Sequence, residues 1–410
     1  MGFTTLSVAL LTRFLGLEQA GLYFFFVSLS LVFGNVTCGA LQSLNIRFGS
    51  IYRNEERFEA RAALTIFSLR WLLLATVVIC VVIVSARSIF SAHGFWSRDD
   101  LVWLLAVSAC LTGASIFAMG FARASGLIVA AQTVEYIVRP IGISAGIAAL
   151  GWIGGWGGQN ARLAALTYIG IQVLSIAWLI FSSNKKTNQF KRSAAMVDAS
   201  ERKLWWSTMP SLTLTVILGL VHNQADVVIL GSFVNPADVA IYKIAAQCAA
   251  LITTGVALVN FIYGPQIAIF YNQNKIEALR YVIKTSARIS FFLGLLIAGV
   301  FVLFGQWALE TFFGKNFSAS FIPFIILGVG RLLDAYFGPS TNIATMTGHQ
   351  KYAVFGMATA AGFNLTVGIW LSYQYGIYGT AFATAISCVI WNILLAWGIH
   401  RGTGLRCGPF

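Results

Sequence analysis

AALTIFSLRWLLLATVVICVVIVS, residues 62–85, carries a single charge, Arg70, along its whole length. As a helix at 1.5 Å per residue it would be about 36 Å long, more than the roughly 30 Å of hydrocarbon in a bilayer. It has no polar face to turn to water, as a helix on the surface of a soluble domain must. It reads as a membrane span. Ten further runs of the same kind lie at residues 21–44, 101–119, 127–150, 163–181, 210–230, 240–262, 289–309, 321–337, 353–371 and 379–399. A twelfth, residues 1–15, is too short to cross unaided and reads as the outer half of a helix whose beginning lies upstream.

The composition agrees. Of 410 residues, 58% are hydrophobic and 10% charged, where soluble domains carry about a quarter charged residues. The net charge of +13 is therefore not a nucleic-acid face, and its placement along the chain is the informative quantity. Arg47, Arg53, Arg57, Arg61, Arg123, six cations between Lys185 and Lys203, Lys275, Arg280, Lys284, Arg288, Lys351, Arg401 and Arg406 fall on one side of the predicted spans. Only Arg87, Arg98, Arg162 and Lys315 fall on the other. Lys and Arg accumulate in short cytoplasmic loops, so both termini are expected in the cytoplasm.

The longest polar stretch, 182–203, divides the spans six and six. The expected organisation is all-α: a polytopic membrane protein of about twelve transmembrane helices. A six-helix lobe over 1–181 is followed by a basic cytoplasmic linker over 182–203, then a second six-helix lobe and short tail over 204–410. An internal echo supports a repeat: Leu15-Gly16 followed by Gly21-Leu22-Tyr23 recurs as Leu230-Gly231 followed by Ala240-Ile241-Tyr242. Trp205 and Trp206, beside the linker, read as interfacial anchors.

Five cations lie within the spans, Arg13, Arg70, Arg139, Lys243 and Arg331, against three acids, Glu135, Asp226 and Asp334. A charge at mid-bilayer costs at least about 2.5 kcal/mol, so such residues usually face a bundle interior or a wet cavity. Glu135 and Arg139 are four apart and Arg331 and Asp334 three apart, so each pair shares a helix face. They either neutralise themselves or leave the arginines free for a ligand. Asp226, in the polar run His222-Asn223-Gln224-Ala225-Asp226, lies at the depth of Lys243, so the two can pair. Long side chains such as Lys243 and Arg70 can also snorkel to the headgroups. Pro140, Pro210, Pro265 and Pro339 stand within or at the ends of spans, where a freed carbonyl favours a cavity lining or a hinge.

No segment matches the phosphate-binding loop GxxxxGK[ST], and neither HExxH nor GxSxG occurs. The six cysteines form no CxxC pair, and neither metal nor cofactor is expected. The chain is expected not to be an enzyme, since its longest outer loop, 87–100, leaves no room for a catalytic domain.

Arg13-Phe-Leu-Gly16 followed by Gly21-Leu22-Tyr23, Glu135 with Ile137-Val138-Arg139-Pro140, the Pro210 span leading to Asp226 and Leu230-Gly231, Phe313-Gly314-Lys315-Asn316-Phe317, and Tyr375-Gly376-Ile377-Tyr378-Gly379-Thr380-Ala381-Phe382-Ala383-Thr384 together resemble the bacterial polysaccharide-lipid flippases. These belong to the multidrug/oligosaccharidyl-lipid/polysaccharide exporter superfamily. The resemblance implies two six-helix lobes around a cavity that opens alternately to either side of the bacterial inner membrane. It also implies a cargo: undecaprenyl-pyrophosphate-linked repeat units of O-antigen (lipopolysaccharide), capsule or exopolysaccharide, with other polysaccharide-assembly proteins as partners. A span interior with excess cations suits a pyrophosphate, because guanidinium offers paired donors to phosphate oxygens. The expected substrate-binding residues are Arg13, Arg139 and Arg331. Asp226 and Glu135 are the expected coupling carboxylates for a proton or sodium gradient, and Lys243 and Asp334 the charge-pairing residues. The alternatives are a drug/cation antiporter of the same superfamily, expected to hold an acidic cavity, or a membrane enzyme of glycan assembly such as a polymerase.

Overall fold

The computed structural model describes residues 2–90, 94–153, 160–186 and 199–409. They are helical almost throughout, and no strand occurs among them. The chain forms two compact units, which divide between Leu220 and Val221. The first contains α1 (Gly2–Cys38), α2 (Leu41–Asn54), α3 (Phe58–Phe90), α4 (Asp99–Ala124), α5 (Ile128–Thr133), α6 (Arg139–Ile153), α7 (Ala161–Lys186) and the beginning of α8 (Ala199–Phe233). The second contains the end of α8, α9 (Pro236–Ile252), α10 (Thr254–Asn272), α11 (Ile276–Phe312), α12 (Phe321–Phe337), α13 (Ser340–Met346), α14 (Gln350–Phe363) and α15 (Ile369–Thr403). Of the expected linker, residues 187–198 lie outside the described residues. Its two ends are helical, as the last turn of α7 and the first of α8.

Among the described residues, eight helices are long and apolar enough to cross a bilayer, or nine if the bent pair α9–α10 counts as one span. The expectation from sequence was twelve. Three places account for the difference. At Gly16 (φ 69, ψ 174) two expected spans run together as α1. At Gly376 (φ 55, ψ −129) two more run together inside α15. Between α5 and α6 a π-helical turn, Val134–Val138, interrupts a third stretch.

Residues 350–403 would measure about 80 Å as one straight helix, well over twice the hydrocarbon thickness, and the packing shows that they do not run straight. Thr380 donates to the Ser372 hydroxyl at 2.8 Å, and Ser387 to the Ala360 carbonyl at 3.0 Å. A Cβ on Gly356 would touch Leu394, and one on Gly398 would overlap the Tyr352 ring. As one partner steps back along α14, the other steps forward along α15, so the segment is an antiparallel helical hairpin that reverses near Gly376. Both dihedrals there suit glycine and few other residues.

The two units repeat one plan. After α2 the amides of Glu55, Glu56, Arg57 and Phe58 donate to the carbonyls of Ile51, Arg53, Tyr52 and Glu56. After α10 those of Gln273, Asn274, Lys275 and Ile276 donate to Ile269, Tyr271, Phe270 and Asn274, each bond displaced by 218 residues. Glu56 (φ 56) and Asn274 (φ 53) take the same left-handed conformation. The turn at Ser125, Gly126 and Leu127 is matched, 222 residues on, by Thr347, Gly348 and His349. Short 3-10 segments, Gly94–Ser97 and Lys315–Ser320, bury Phe95 and Phe317. A second π-helical turn, Asn364–Gly368, joins α14 to α15.

The core of the first unit gathers Leu41, Leu44, Phe48, Leu64, Phe117 and Leu179 with Trp205 and Met209 from α8. Trp205 is therefore not an interfacial anchor. Its indole N–H donates to the Tyr52 hydroxyl at 2.9 Å, which allows the ring to be buried, whereas Trp206 is half-exposed. The turn before α3 is tied to the start of α8 by an ion pair between Arg57 and Glu201.

Gly376→Ala is expected to destabilise the protein by about 1–3 kcal/mol, the usual cost of a strained backbone region. Gly299→Ala, at a helical glycine with open space around it, is expected to be neutral or stabilising. Thermal unfolding of the detergent-purified variants checks both.

Candidate functional site

In the first unit Arg139 opens α6, immediately after the Val134–Val138 π-turn and before Pro140. A proline lacks the N–H that would close the helix and crowds the carbonyl four residues back. The widened turn accommodates this, and the Arg139 amide reaches five residues back to the Val134 carbonyl. The Pro140 carbonyl accepts from Ser7 and Ser144, both at 2.8 Å, which fixes the first segment of α1 against α6.

Glu135 does not pair with Arg139. Its Oε2 accepts from Nη2 of Arg123, at 2.5 Å. Among the described residues, Arg139 Nε and Nη2 are buried with no hydrogen-bond partner. These two nitrogens share one edge of the guanidinium, the edge that presents parallel N–H groups to two oxygens of a carboxylate or phosphate. The Tyr168 hydroxyl lies within electrostatic range of Arg139. It belongs to a buried polar network in which Ser30 Oγ meets Ser108 Oγ at 2.6 Å and Thr112 Oγ1 at 2.9 Å, and Gln172 donates to Thr112 at 2.8 Å. The ring of Tyr168 is met edge-on by Tyr23 and Phe26. Arg13 is exposed, three residues before the break at Gly16.

In the second unit Asp226 is 8% exposed. Its Oδ2 accepts from the Tyr242 hydroxyl at 2.7 Å and its Oδ1 from the Val227 amide at 2.8 Å. Thr384 Oγ1 lies 3.2 Å from the same tyrosine oxygen. Lys243 is near enough to feel Asp226, but among the described residues no carboxylate lies within 4.0 Å of it. Asp334 takes its hydrogen bond from Asn392 Nδ2 at 2.9 Å, and no ion pair within that distance joins it to Arg331. Arg331 instead faces a small cleft with His222, Asn364, Thr384, Ser387 and Cys388. The cleft's volume of about 10 Å³ is at the lower limit for one water. His222 packs on Trp391 with ring centroids 4.3 Å apart.

Arg139 and Arg331 thus fall in different units, and both pairings suggested by helical spacing are replaced by partners from other helices. Asn364 and Asn392 do not figure in the sequence reading, and Tyr242 and Thr384 figure there only within motifs, because formal charge passes over neutral polar residues. Two signals were available: Asn364 and Asn392 interrupt apolar runs, and Tyr242 is the last residue of the internal echo, where its counterpart Tyr23 is also buried.

No family model matches the chain. It is similar over 406 residues, at 23% identity, to a Haloferax volcanii protein named probable low-salt glycan biosynthesis flippase Agl15, covering 96% of this chain and 79% of that one. Among solved structures, an inward-facing multidrug resistance MATE family transporter of the MOP superfamily superposes with a TM-score of 0.75 at 14% identity, covering 98% of this chain and 94% of the other. The lipid II flippase MurJ, in an inward closed conformation, superposes with a TM-score of 0.73 at 14% identity, over 96% and 84%. The chain is accordingly a multi-pass membrane protein with the fold seen in these MATE transporter and MurJ structures.

Proposed function

We propose that this protein is a secondary transporter that flips a lipid-pyrophosphate-linked oligosaccharide from the cytoplasmic to the outer leaflet by alternating access, without enzymatic activity. The observation that carries this reading is the vacant edge of Arg139. A buried guanidinium whose Nε and Nη2 lack partners, while the nearest acid on its own helix is engaged by Arg123, is costly to keep without a recurrent anionic visitor. A pyrophosphate supplies paired oxygens for that edge. Arg13 and Arg331 are the further cations assigned to the cargo. The similarity to a protein named as a glycan biosynthesis flippase supports a glycan cargo, of which undecaprenyl-linked O-antigen, capsule or exopolysaccharide units are the bacterial class.

Solved relatives of nearly equal TM-score include a multidrug transporter and a lipid flippase, so the fold does not choose between them. The sign of the charge supports one reading: the spans expected from sequence carry two more cations than acids, which favours an anionic cargo over an organic cation. Asp226, with Glu135, couples movement to a proton or sodium gradient, and the spans form lobes over 1–181 and 204–410 with both termini cytoplasmic in an inner membrane.

Three outcomes are expected. Arg139→Lys keeps the charge but loses the paired donors, so surface glycan should fall about tenfold or more at unchanged protein level, the worth of one charge-assisted hydrogen bond. Normal glycan in both Arg139→Lys and Arg331→Lys would refute the phosphate role, and rescue by Glu135→Gln with Arg139→Gln would assign the pair to structure. Asp226→Asn should abolish the dependence of transport on the ion gradient in reconstituted vesicles, and intact coupling would remove this residue from the mechanism. For topology, a cysteine replacing Lys186 should resist an impermeant thiol reagent in whole cells while one replacing Trp96 reacts. Labelling at 186 from outside would invert the orientation.

A further inference from the structure

Arg61, Thr65, Leu69 and Leu72 succeed one another along one face of α3, at spacings of four, four and three. The last three line a cavity of about 360 Å³ together with Ala114, Phe117, Ala118 and Phe121 of α4 and Ile176, Leu179, Ile180 and Ser183 of α7. That volume lies in the range of small-molecule sites. Its walls are apolar, its floor is opened by two alanines one turn apart on α4, and the half-exposed Leu69 and Ile180 flank its mouth.

The polar end of this groove is built. Arg61 is only 5% exposed, its Nη2 donates to Ser125 Oγ at 2.5 Å, and its guanidinium lies 5.5 Å from the centroid of the Phe121 ring that lines the groove. Arg53 is close enough to repel it and reaches the turn at Gly126. Two guanidinium groups therefore stand at one end of a hydrocarbon-lined slot.

We propose that this groove seats one acyl chain of an anionic phospholipid from the leaflet at that end, with its phosphate at Arg61 and Arg53. Clusters of Lys and Arg at the cytoplasmic side of transmembrane helices recruit anionic headgroups through such geometry. The length argues for a resident lipid and against a transported one. From Arg61 to Leu72 the groove covers about 16 Å, roughly one leaflet's depth of hydrocarbon, and it ends at Leu72, Ala114 and Ile176, well before α3, α4 and α7 reach their far ends. A cargo that crosses the membrane needs a path that continues, and this one stops. The inference rests on the first unit alone and holds whatever the transporter carries.

The test uses the full-length protein, delipidated in detergent and titrated with phosphatidylglycerol or phosphatidylcholine, with bound lipid counted by native mass spectrometry. Phosphatidylglycerol should be favoured about fivefold, as expected for a cation at the headgroup level. Arg61→Gln should erase that preference. Ala118→Phe, which fills the slot, should reduce retention of both lipids. Should Ala118→Phe fail to fold, Leu69→Trp fills the slot from its exposed mouth. Equal binding of the two lipids by the unaltered protein, a surviving preference in Arg61→Gln, or undiminished retention in the filled variants would each overturn the proposal. So would displacement of phosphatidylglycerol by a polyprenyl phosphate accompanied by loss of transport in the filled variants, which would assign the slot to a cargo's tail.

Discussion

Hydrocarbon accepts no hydrogen bond. Each backbone amide and carbonyl at membrane depth must therefore find its partner within the chain, and a helix does so without help from any other segment. Every departure from regular helix in this protein has to answer the same demand. The break at Gly376 is made where the chain turns back and α14 packs against α15, so that Thr380, Ser372, Ser387 and Ala360 bond across the hairpin. The turns after α2, α4, α10 and α13 close by backbone bonds of their own, in matching pairs. A repeated unit satisfies the demand once and reuses the solution.

The same constraint governs side chains. Charged and polar groups cannot be left to water, so they exchange partners until the cost is lowest. Glu135 reaches Arg123, Asp226 takes the Tyr242 hydroxyl, and Asp334 takes Asn392. Each of these bonds joins two helices, which fixes helix packing more firmly than a bond between neighbours on one helix would. The arginines Arg139 and Arg331 thereby have their same-helix acids engaged elsewhere. Both lie beside a perturbed helix, Arg139 after a π-turn and Arg331 in a cleft that Asn364, the first residue of the other π-turn, helps to line. A π-turn is a marginal element that survives where the surroundings require it, often at functional positions.

The lipid groove obeys the converse rule. Where α3, α4 and α7 leave a space beside small residues, a water-free surround must be filled by hydrocarbon, and the neighbouring buried Arg61 determines what kind of headgroup the hydrocarbon brings.

Much of this protein was legible in its sequence. Apolar run length and the scarcity of charge determined a helical, membrane-spanning chain, since both follow from the thickness and dielectric of a bilayer and need no knowledge of packing. The short echo ending at Tyr23 and Tyr242 pointed to a repeat, and two turns match between the halves in their backbone bonds. Hydropathy also separated 353–371 from 379–399, although the chain stays helical on both sides of the hairpin. What lay beyond the sequence was partnership. Helical spacing placed Glu135 beside Arg139 and Arg331 near Asp334, and the tertiary structure paired both acids elsewhere, because residues one turn apart compete with every helix packed against that face. Trp205 looked like an interfacial anchor until Tyr52, more than a hundred and fifty residues away in the chain, offered its hydroxyl. A local rule can say that a buried polar group must be satisfied, and only the packing of distant segments decides by what.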